Sequence, residues 1–113
     1  MAYSEILAQR VRDAVANLSS VREKKMFGGI AFMINGKMCI TVGQDRLMFR
    51  INPMIHTLAL QKKGTSTVKM RGREYKGYVH VNEEGLNSGS DFDYWIGLAL
   101  EFNKNAKVSK KKK

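Results

Sequence analysis

Cys39 is the residue with the clearest chemical potential, because it is the chain's single cysteine and a thiolate is a strong nucleophile. The predicted sheet register sets Arg50 beside it, and a nearby cation lowers a thiol pKa. A cysteine–histidine enzyme also needs a base within hydrogen-bonding reach and a third group that orients it. His80 is predicted on the same face, whereas His56 lies on a different element. With no third group evident, we interpret Cys39 as a small apolar side chain and expect no catalytic residues.

Metal-binding residue types are present but scattered. Two histidines and one cysteine lack the close ligand spacing that zinc sites use. Glu83 and Glu84 are interpreted as a solvated loop, and Asp91 and Asp93 as acidic residues that suit the start of a helix. The sequence therefore predicts neither a metal site nor a cofactor.

The net charge of +10 is concentrated at the C-terminus. Residues 104–113 hold six lysines and no acid, which leaves 14 basic and 10 acidic side chains in residues 1–103. We therefore divide the chain into a domain, 1–103, and a disordered lysine-rich tail, 104–113, since like charges repel. The tail either solubilises the domain or attracts nucleic acid in a salt-sensitive way. The candidate nucleic-acid contacts are Lys107, Lys110, Lys111, Lys112 and Lys113.

Length and cysteine content limit the class of protein. A chain of 113 residues has room for one core. No apolar run reaches the roughly 18 residues that cross a bilayer, and the N-terminus lacks the apolar core of a signal peptide. A lone cysteine suits a reducing compartment. We expect a cytoplasmic protein with no membrane association.

Apolar spacing predicts the elements of the first half. Residues 4–18 should form a helix, because apolar residues recur there at intervals of three and four. Asn35-Gly36 between apolar runs is a strong signal for a two-residue hairpin turn. A second turn at Gln44-Asp45 completes a three-stranded meander.

The second half alternates again between helix and strand. Asn52-Pro53 predicts a helix start, with Asn as the cap, and this helix should run to about Gln61. A hairpin with its turn at 71–73 follows, then a loop, then a helix beginning near Ser90. The order α-βββ-α-ββ-α predicts an α+β domain, with an antiparallel sheet and helices mainly on one face.

The register of the first hairpin sorts the residues between the two faces. If Asn35 and Gly36 alone form the loop, Phe32 pairs with Cys39 and Ala31 with Ile40. The face assigned to the core then holds Gly29, Ala31, Met33, Met38, Ile40, Val42, Leu47, Phe49 and Ile51. The opposite face is the candidate interaction face: Ile30, Phe32, Ile34, Cys39, Met48, Arg50 and Tyr78. Exposed apolar patches of this kind mark interfaces; the alternative is that a terminal helix or loop covers it.

Gly28 and Gly29 raise the question of a phosphate-binding loop. Such a loop lies between a strand and a helix whose N-terminus faces the anion. Here a strand follows the two glycines. We therefore interpret them as a bend, a bulge or a point of close helix packing.

The segment "EKKMFGGIAFMINGKMCI", followed by "LMFRI" and "KGYVHV", resembles the TfoX/Sxy N-terminal domain family. The opening "MAYSEILAQR" and the late Trp95 extend the resemblance over nearly the whole chain before the tail. Met26, Phe27, Gly28 and Gly29 match the family's "MFGG" signature. The resemblance implies an α+β fold similar to secretion-chaperone-like domains and carries no catalytic activity.

The family is named for bacterial competence regulators, which are transcriptional coactivators with an additional C-terminal domain. This chain resembles a stand-alone version of the first domain. The resemblance implies a non-enzymatic regulatory or protein-interaction role. The apolar residues on both sides of the first predicted strand indicate that the candidate interaction face serves for self-association or for a protein partner. No small-molecule substrate is predicted.

The alternative function is that of a nucleic-acid-binding accessory protein. Phe32 and Tyr78 would offer stacking faces to bases. Lys37, Arg50 and Lys76, together with the tail, would neutralise phosphates.

Overall fold

The computed structural model describes residues 3–18, 20–26, 29–70 and 72–104. Its helices are α1 (Glu5–Ala14), a 3-10 turn (Pro53–Ile55), α2 (His56–Ala59), α3 (Glu83–Leu86) and α4 (Gly89–Asn103). Its strands are β1 (Val21–Met26), β2 (Gly29–Ile34), β3 (Lys37–Val42), β4 (Arg46–Arg50), β5 (Thr65–Met70) and β6 (Arg73–Asn82). None of the helices in these ranges is long and apolar enough to cross a membrane.

The six strands form one sheet in the order β1-β2-β3-β4-β6-β5, with every neighbouring pair antiparallel. The predicted α+β class is therefore confirmed. Two elements were not predicted: β1, which pairs with β2, and α3, in a segment interpreted as a loop. The sequence of β1, "VREKKM", carries too many charges to show the apolar alternation on which strand prediction depends.

Side-chain caps mark the beginning of α1, of the 3-10 turn and of α4. The Ser4 hydroxyl accepts a hydrogen bond from the Leu7 N–H at 3.1 Å. Asn52 caps the 3-10 turn by accepting from the Met54 N–H at 2.9 Å, as predicted. α4 is capped by Ser88, two residues before the predicted start at Ser90. Each cap satisfies an N–H that the helix itself leaves without a partner.

The first hairpin contains a β-bulge that shifts its register. Asn35 and Gly36 have φ values of 55° and 77°, as a type I′ turn requires. Beyond the turn Met33 pairs with Met38, but the next pair is Phe32 with Ile40. Cys39 is therefore the extra residue of the bulge. Because side chains alternate between faces, one extra residue reverses the faces of β2 relative to the simple register.

The bulge overturns the predicted exposure of four residues. Ile30, Phe32, Ile34 and Cys39 are only 4%, 0%, 3% and 2% exposed, and all four belong to the core. Their assignment to an open interaction face was wrong, because a two-residue loop with regular pairing ignores the extra residue in β3. The core assignments are confirmed for Ile40, Val42, Leu47, Phe49 and Ile51.

The helices pack on one face of the sheet. On α4, the Trp95 ring stacks on Phe49 of β4 with centroids 5.8 Å apart. α1 adds Leu7 and Val11 to the same core. The Arg12 guanidinium donates to both carboxylate oxygens of Glu23 in β1, at 2.6 and 3.0 Å. This bidentate ion pair connects α1 to the edge strand of the sheet.

Candidate functional site

The opposite side of the sheet, which we call the helix-free face, has no described helix packed on it. Its central row runs across five strands in cross-strand register: Ala31, Thr41, Met48, His80 and Ser66. By alternation along the strands, Arg22, Lys24 and Met33 belong to the same face, as does Arg46. Ala31 and Thr41 are buried in this row, while Met48 and His80 are partly exposed.

Charge is divided between the two sides of the sheet. Among the described strand residues the acidic ones are Glu23 and Glu74. Glu23 pairs with Arg12 of α1, and Glu74 accepts from the Thr67 hydroxyl at 2.8 Å on the helix side. Both carboxylates therefore have interaction partners on the helix side of the sheet. The strands supply the helix-free face with basic side chains and with no described carboxylate.

A pocket of about 230 Å³ opens on the helix-free face. It lies where β3, β4, β6 and β5 come side by side, and it combines apolar and basic walls. Its lining includes Thr41, Arg46, Met48, Val68, Lys69 and His80. Within the described part of the chain, the side chains of Arg46 and Lys69 make no hydrogen bond or ion pair, and both are exposed.

Thr41 is the most unusual residue of the pocket wall. It is 8% exposed, and its hydroxyl oxygen is buried with no hydrogen-bond partner among the described residues. A buried hydroxyl without a partner carries an unfavourable desolvation energy.

His80 lies in the same row two strands away from Thr41, with Met48 between them. Burial, and secondly the positive charge of Arg46, lower the pKa of His80 below its ordinary value of 6.5. Both effects favour the neutral imidazole. An anion bound between Arg46 and His80 would oppose the effect of the Arg46 charge and raise the pKa of His80.

The three remaining members of the candidate interaction face are Met48, Arg50 and Tyr78, and only Met48 has the predicted environment. Met48 lies on the helix-free face, as expected. Tyr78 is partly buried, with its ring 6.4 Å from that of Tyr75. The Arg50 guanidinium lies 5.9 Å from the Tyr78 ring and 5.7 Å from the Phe102 ring of α4. Arg50 is thus held between β6 and a helix instead of projecting into solvent.

Cys39 does not have the environment of a reactive thiol. Burial raises its pKa from 9.0 to about 12, and the opposing effect of Arg50 is smaller. A thiol with this pKa is protonated at neutral pH and is a poor nucleophile.

A cluster that the sequence did not reveal surrounds the buried His56. Its Nε2 lies 3.2 Å from the Thr67 hydroxyl oxygen and 3.3 Å from a Glu74 carboxylate oxygen. Its Nδ1 accepts from the Gly77 N–H at 3.0 Å. Both ring nitrogens are therefore engaged, and the Thr67 hydroxyl donates to Glu74 and not to the imidazole. The residue types resemble a catalytic triad, but the hydrogen bonds are those of a structural support.

The family signature lies partly outside the described residues. Met26 pairs with Gly29 across β1 and β2, while Phe27 and Gly28 are outside those ranges. A Cβ on Gly29 would overlap the carbonyl oxygen of Val42. The close approach at Gly29 is thus made by the β3 backbone and not by a helix. The five tail lysines, Lys107, Lys110, Lys111, Lys112 and Lys113, also lie outside the described residues.

Comparison with protein families supplies the classification. The family described as TfoX N-terminal domain matches residues 13–103, which includes every strand and most of the helical residues. Searches of curated proteins and of solved structures gave no significant match. The chain is a member of the TfoX N-terminal domain family.

Proposed function

We propose that this chain is a non-enzymatic regulatory domain that holds an acidic segment of a partner protein against its helix-free face. The observation that carries the proposal is the charge division of the sheet. Arg22, Lys24 and Arg46 are exposed on this face, and the exposed Lys69 lines its pocket, while the described carboxylates of the strands are engaged on the helix side. Electrostatic complementarity of this kind selects the partner and speeds its association.

A second copy of the chain is a poorer partner for this face. A symmetric contact between two helix-free faces would bring the same lysines and arginines of both copies together. Like charges placed opposite each other oppose association. We therefore favour a different, acidic protein over self-association through this surface.

The chemistry of the titratable groups supports a role without catalysis. The Cys39 thiol is buried, with a pKa raised to about 12. The imidazole of His56 has both nitrogens committed to structural hydrogen bonds. A binding function uses neither group, and family membership supports a regulatory context. Since the single cysteine needs no oxidising environment, we propose the cytoplasm as its compartment.

Nucleic acid is the second candidate, because a basic face attracts phosphates as well as carboxylates. Phe32, which was expected to stack on bases, is 0% exposed and presents no face to them. Tyr78 remains, but its ring packs near Tyr75 and Arg50. The tail lysines would therefore have to provide much of the attraction.

Amide chemical-shift mapping of the full chain separates these functions. One titration uses an unstructured peptide of alternating glutamate and leucine, and the other a DNA duplex, both at about 150 mM salt. Two variants are compared with the parent: Lys24→Gln/Arg46→Gln/Lys69→Gln on the face, and a variant with glutamine at all five tail lysines.

We expect the peptide to shift amides of β3, β4 and β5 around the helix-free face. The face variant should lose this binding, whereas the tail variant should keep it. If the peptide shifts no amide on this face, the proposal fails. If DNA binds the sheet of the tail variant more tightly than the peptide does, the nucleic-acid function replaces it.

A further inference from the structure

We propose that the pocket beside Thr41 is a carboxylate-binding subsite, which accepts one carboxylate carried on a short apolar stem. The inference rests on the proposed function and refines it: the carboxylate is that of an acidic side chain in the partner segment. The residues that would form the subsite are Thr41, Arg46, Met48, Val68, Lys69 and His80.

The charged wall of the pocket fits an anion. Arg46 offers a planar guanidinium, whose paired N–H groups match the two oxygens of a carboxylate. Lys69, from the neighbouring edge of the sheet, adds a second positive charge to the same pocket. Neither side chain has a described carboxylate as a partner, so an incoming anion would not have to displace one.

The hydroxyl of Thr41 is the independent indication of a ligand. Thr41 is more than nine-tenths buried, and its hydroxyl has no hydrogen-bond partner in the described part of the chain. A carboxylate oxygen would accept a hydrogen bond from this hydroxyl and remove the energetic cost of the unpaired group. Because the hydroxyl is itself covered, this contact requires a neighbouring side chain to move. Met48, its direct cross-strand neighbour, has a flexible chain suited to such a shift.

The apolar wall and the size of the pocket restrict the class of ligand further. Met48 and Val68 would contact methylene groups, which a bare phosphate lacks. A volume of about 230 Å³ is below the roughly 300–1,000 Å³ of pockets that hold drug-sized ligands. The pocket therefore suits a side chain such as that of glutamate, and not a nucleotide or a large cofactor.

The direct test titrates the full chain with N-acetylglutamate amide, which carries one side-chain carboxylate. N-acetylglutamine amide is the neutral control of nearly the same shape, and inorganic phosphate is the control for a bare anion. The readouts are the Thr41 methyl signal and the His80 ring signal. We expect saturable shifts of both signals with the glutamate compound and weaker or no shifts with the other two. Saturation should also raise the pKa of His80, because a bound anion favours the imidazolium.

Two substitutions probe the hydroxyl itself. Thr41→Val keeps the shape and removes the hydroxyl, and we expect at least a fivefold loss of affinity for the glutamate compound. Thr41→Ser keeps the hydroxyl and should bind within about twofold of the parent. Arg46→Gln should also weaken binding, whereas Arg22→Gln, which removes an equal charge from the same face outside the pocket, should not.

The outcomes separate the subsite from the proposed function. Equal shifts with the glutamate and glutamine compounds, or unchanged affinity in Thr41→Val, would overturn the subsite. If the acidic peptide still binds the face of Thr41→Val as tightly as the parent, the proposed function stands without the subsite. If the glutamate compound binds the pocket but the peptide neither binds nor competes, the carboxylate site stands and the partner-protein function fails.

Discussion

The Nδ1 atom of the buried His56 accepts a hydrogen bond from the Gly77 N–H at 3.0 Å, in place of a carbonyl of a neighbouring strand. β6 pairs with β5 at Arg73 and Glu74, and again only from Val79 onward. Gly77 lies between these stretches with φ at +91°, and its carbonyl accepts from the Ile51 N–H at 2.7 Å. The imidazole therefore stabilises β6 at the point where its pairing with β5 is interrupted.

Replacement of His56 should destabilise the fold through this hydrogen bond. His56→Ala removes a buried ring and leaves the Gly77 N–H without an acceptor, so we expect a loss of about 2–4 kcal/mol in the free energy of unfolding. His56→Asn offers an amide oxygen near the Nδ1 position, so its free energy of unfolding should fall clearly less than that of His56→Ala. Urea denaturation measures both variants. Equal losses would contradict the role assigned to the Gly77 hydrogen bond.

Glu74 should make stability depend on pH in the acid range. Its hydrogen bond from Thr67, and secondly that from His56, lower its pKa below the ordinary value of 4.5. A lowered pKa means that the folded state favours the charged form. Its stabilising effect is therefore fully present above about pH 4.5 and is lost as the pH falls through the lower folded-state pKa.

Glu74→Gln isolates this effect when both proteins are unfolded with urea at a series of pH values. The parent should be more stable than the variant at pH 6, and the difference should shrink as the pH falls below about 4.5. A difference that stays constant from pH 6 to pH 3 would show that the carboxylate charge contributes nothing.

The β-bulge at Cys39 can be tested by comparing two neighbours in β2. Phe32 is 0% exposed, so Phe32→Ala should cost about 3–5 kcal/mol in the free energy of unfolding. Met33 is only partly buried, so Met33→Ala should lower the free energy of unfolding by about 1 kcal/mol or less. Thermal or urea unfolding gives both values. The reverse order of effects would indicate the regular hairpin register without the bulge.

Gly29 should tolerate no side chain. Since a Cβ there would overlap the carbonyl oxygen of Val42, Gly29→Ala must push two strands apart, and we expect a loss of at least about 2 kcal/mol. Gly89→Ala is the matched control, because nothing lies within 4 Å of its Cβ position. The control should change stability by about 0.5 kcal/mol or less. Similar values for the two variants would remove the steric explanation for Gly29.

Cys39 should react slowly with thiol reagents in the native protein. A rise in pKa from 9.0 to about 12 lowers the thiolate fraction by about 1,000-fold at pH 8, and burial restricts access as well. We expect modification by a disulfide reagent to be at least about 1,000-fold slower in buffer than in denaturant. Rapid native labelling would show that the thiol is accessible.

The sequence predicted the features that depend on local chemistry. The Asn35-Gly36 turn needs positive φ, and the Asn52-Pro53 cap needs a side-chain acceptor beside an N–H; both appear as expected. Ile40 and Val42 of β3 and Leu47 and Phe49 of β4 were also assigned to the correct face, because the turn at 44–45 has no irregularity.

The faces of β2 could not be predicted, because the bulge has no local sequence signal. Cys39 is a small apolar residue in an apolar run and fits either register. The choice is made by packing: the larger rings and branched chains of Ile30, Phe32 and Ile34 bury more apolar surface under the helices than Ala31 and Met33 would. The pocket was missed for a related reason, since Thr41, Lys69 and His80 meet only through the pairing of strands distant in sequence.

The two edges of the sheet determine how a partner can bind. One edge is β1, where Arg22, Glu23, Lys24 and Lys25 follow one another; the other is β5, which begins with the short polar run 65–67. Charged edge strands discourage another chain from adding a strand. A partner that avoids these edges must lie across the strands, making side-chain contacts and not backbone hydrogen bonds. Recognition by this domain would then depend on the partner's side-chain sequence, and a bound segment would be free to be helical, extended or irregular.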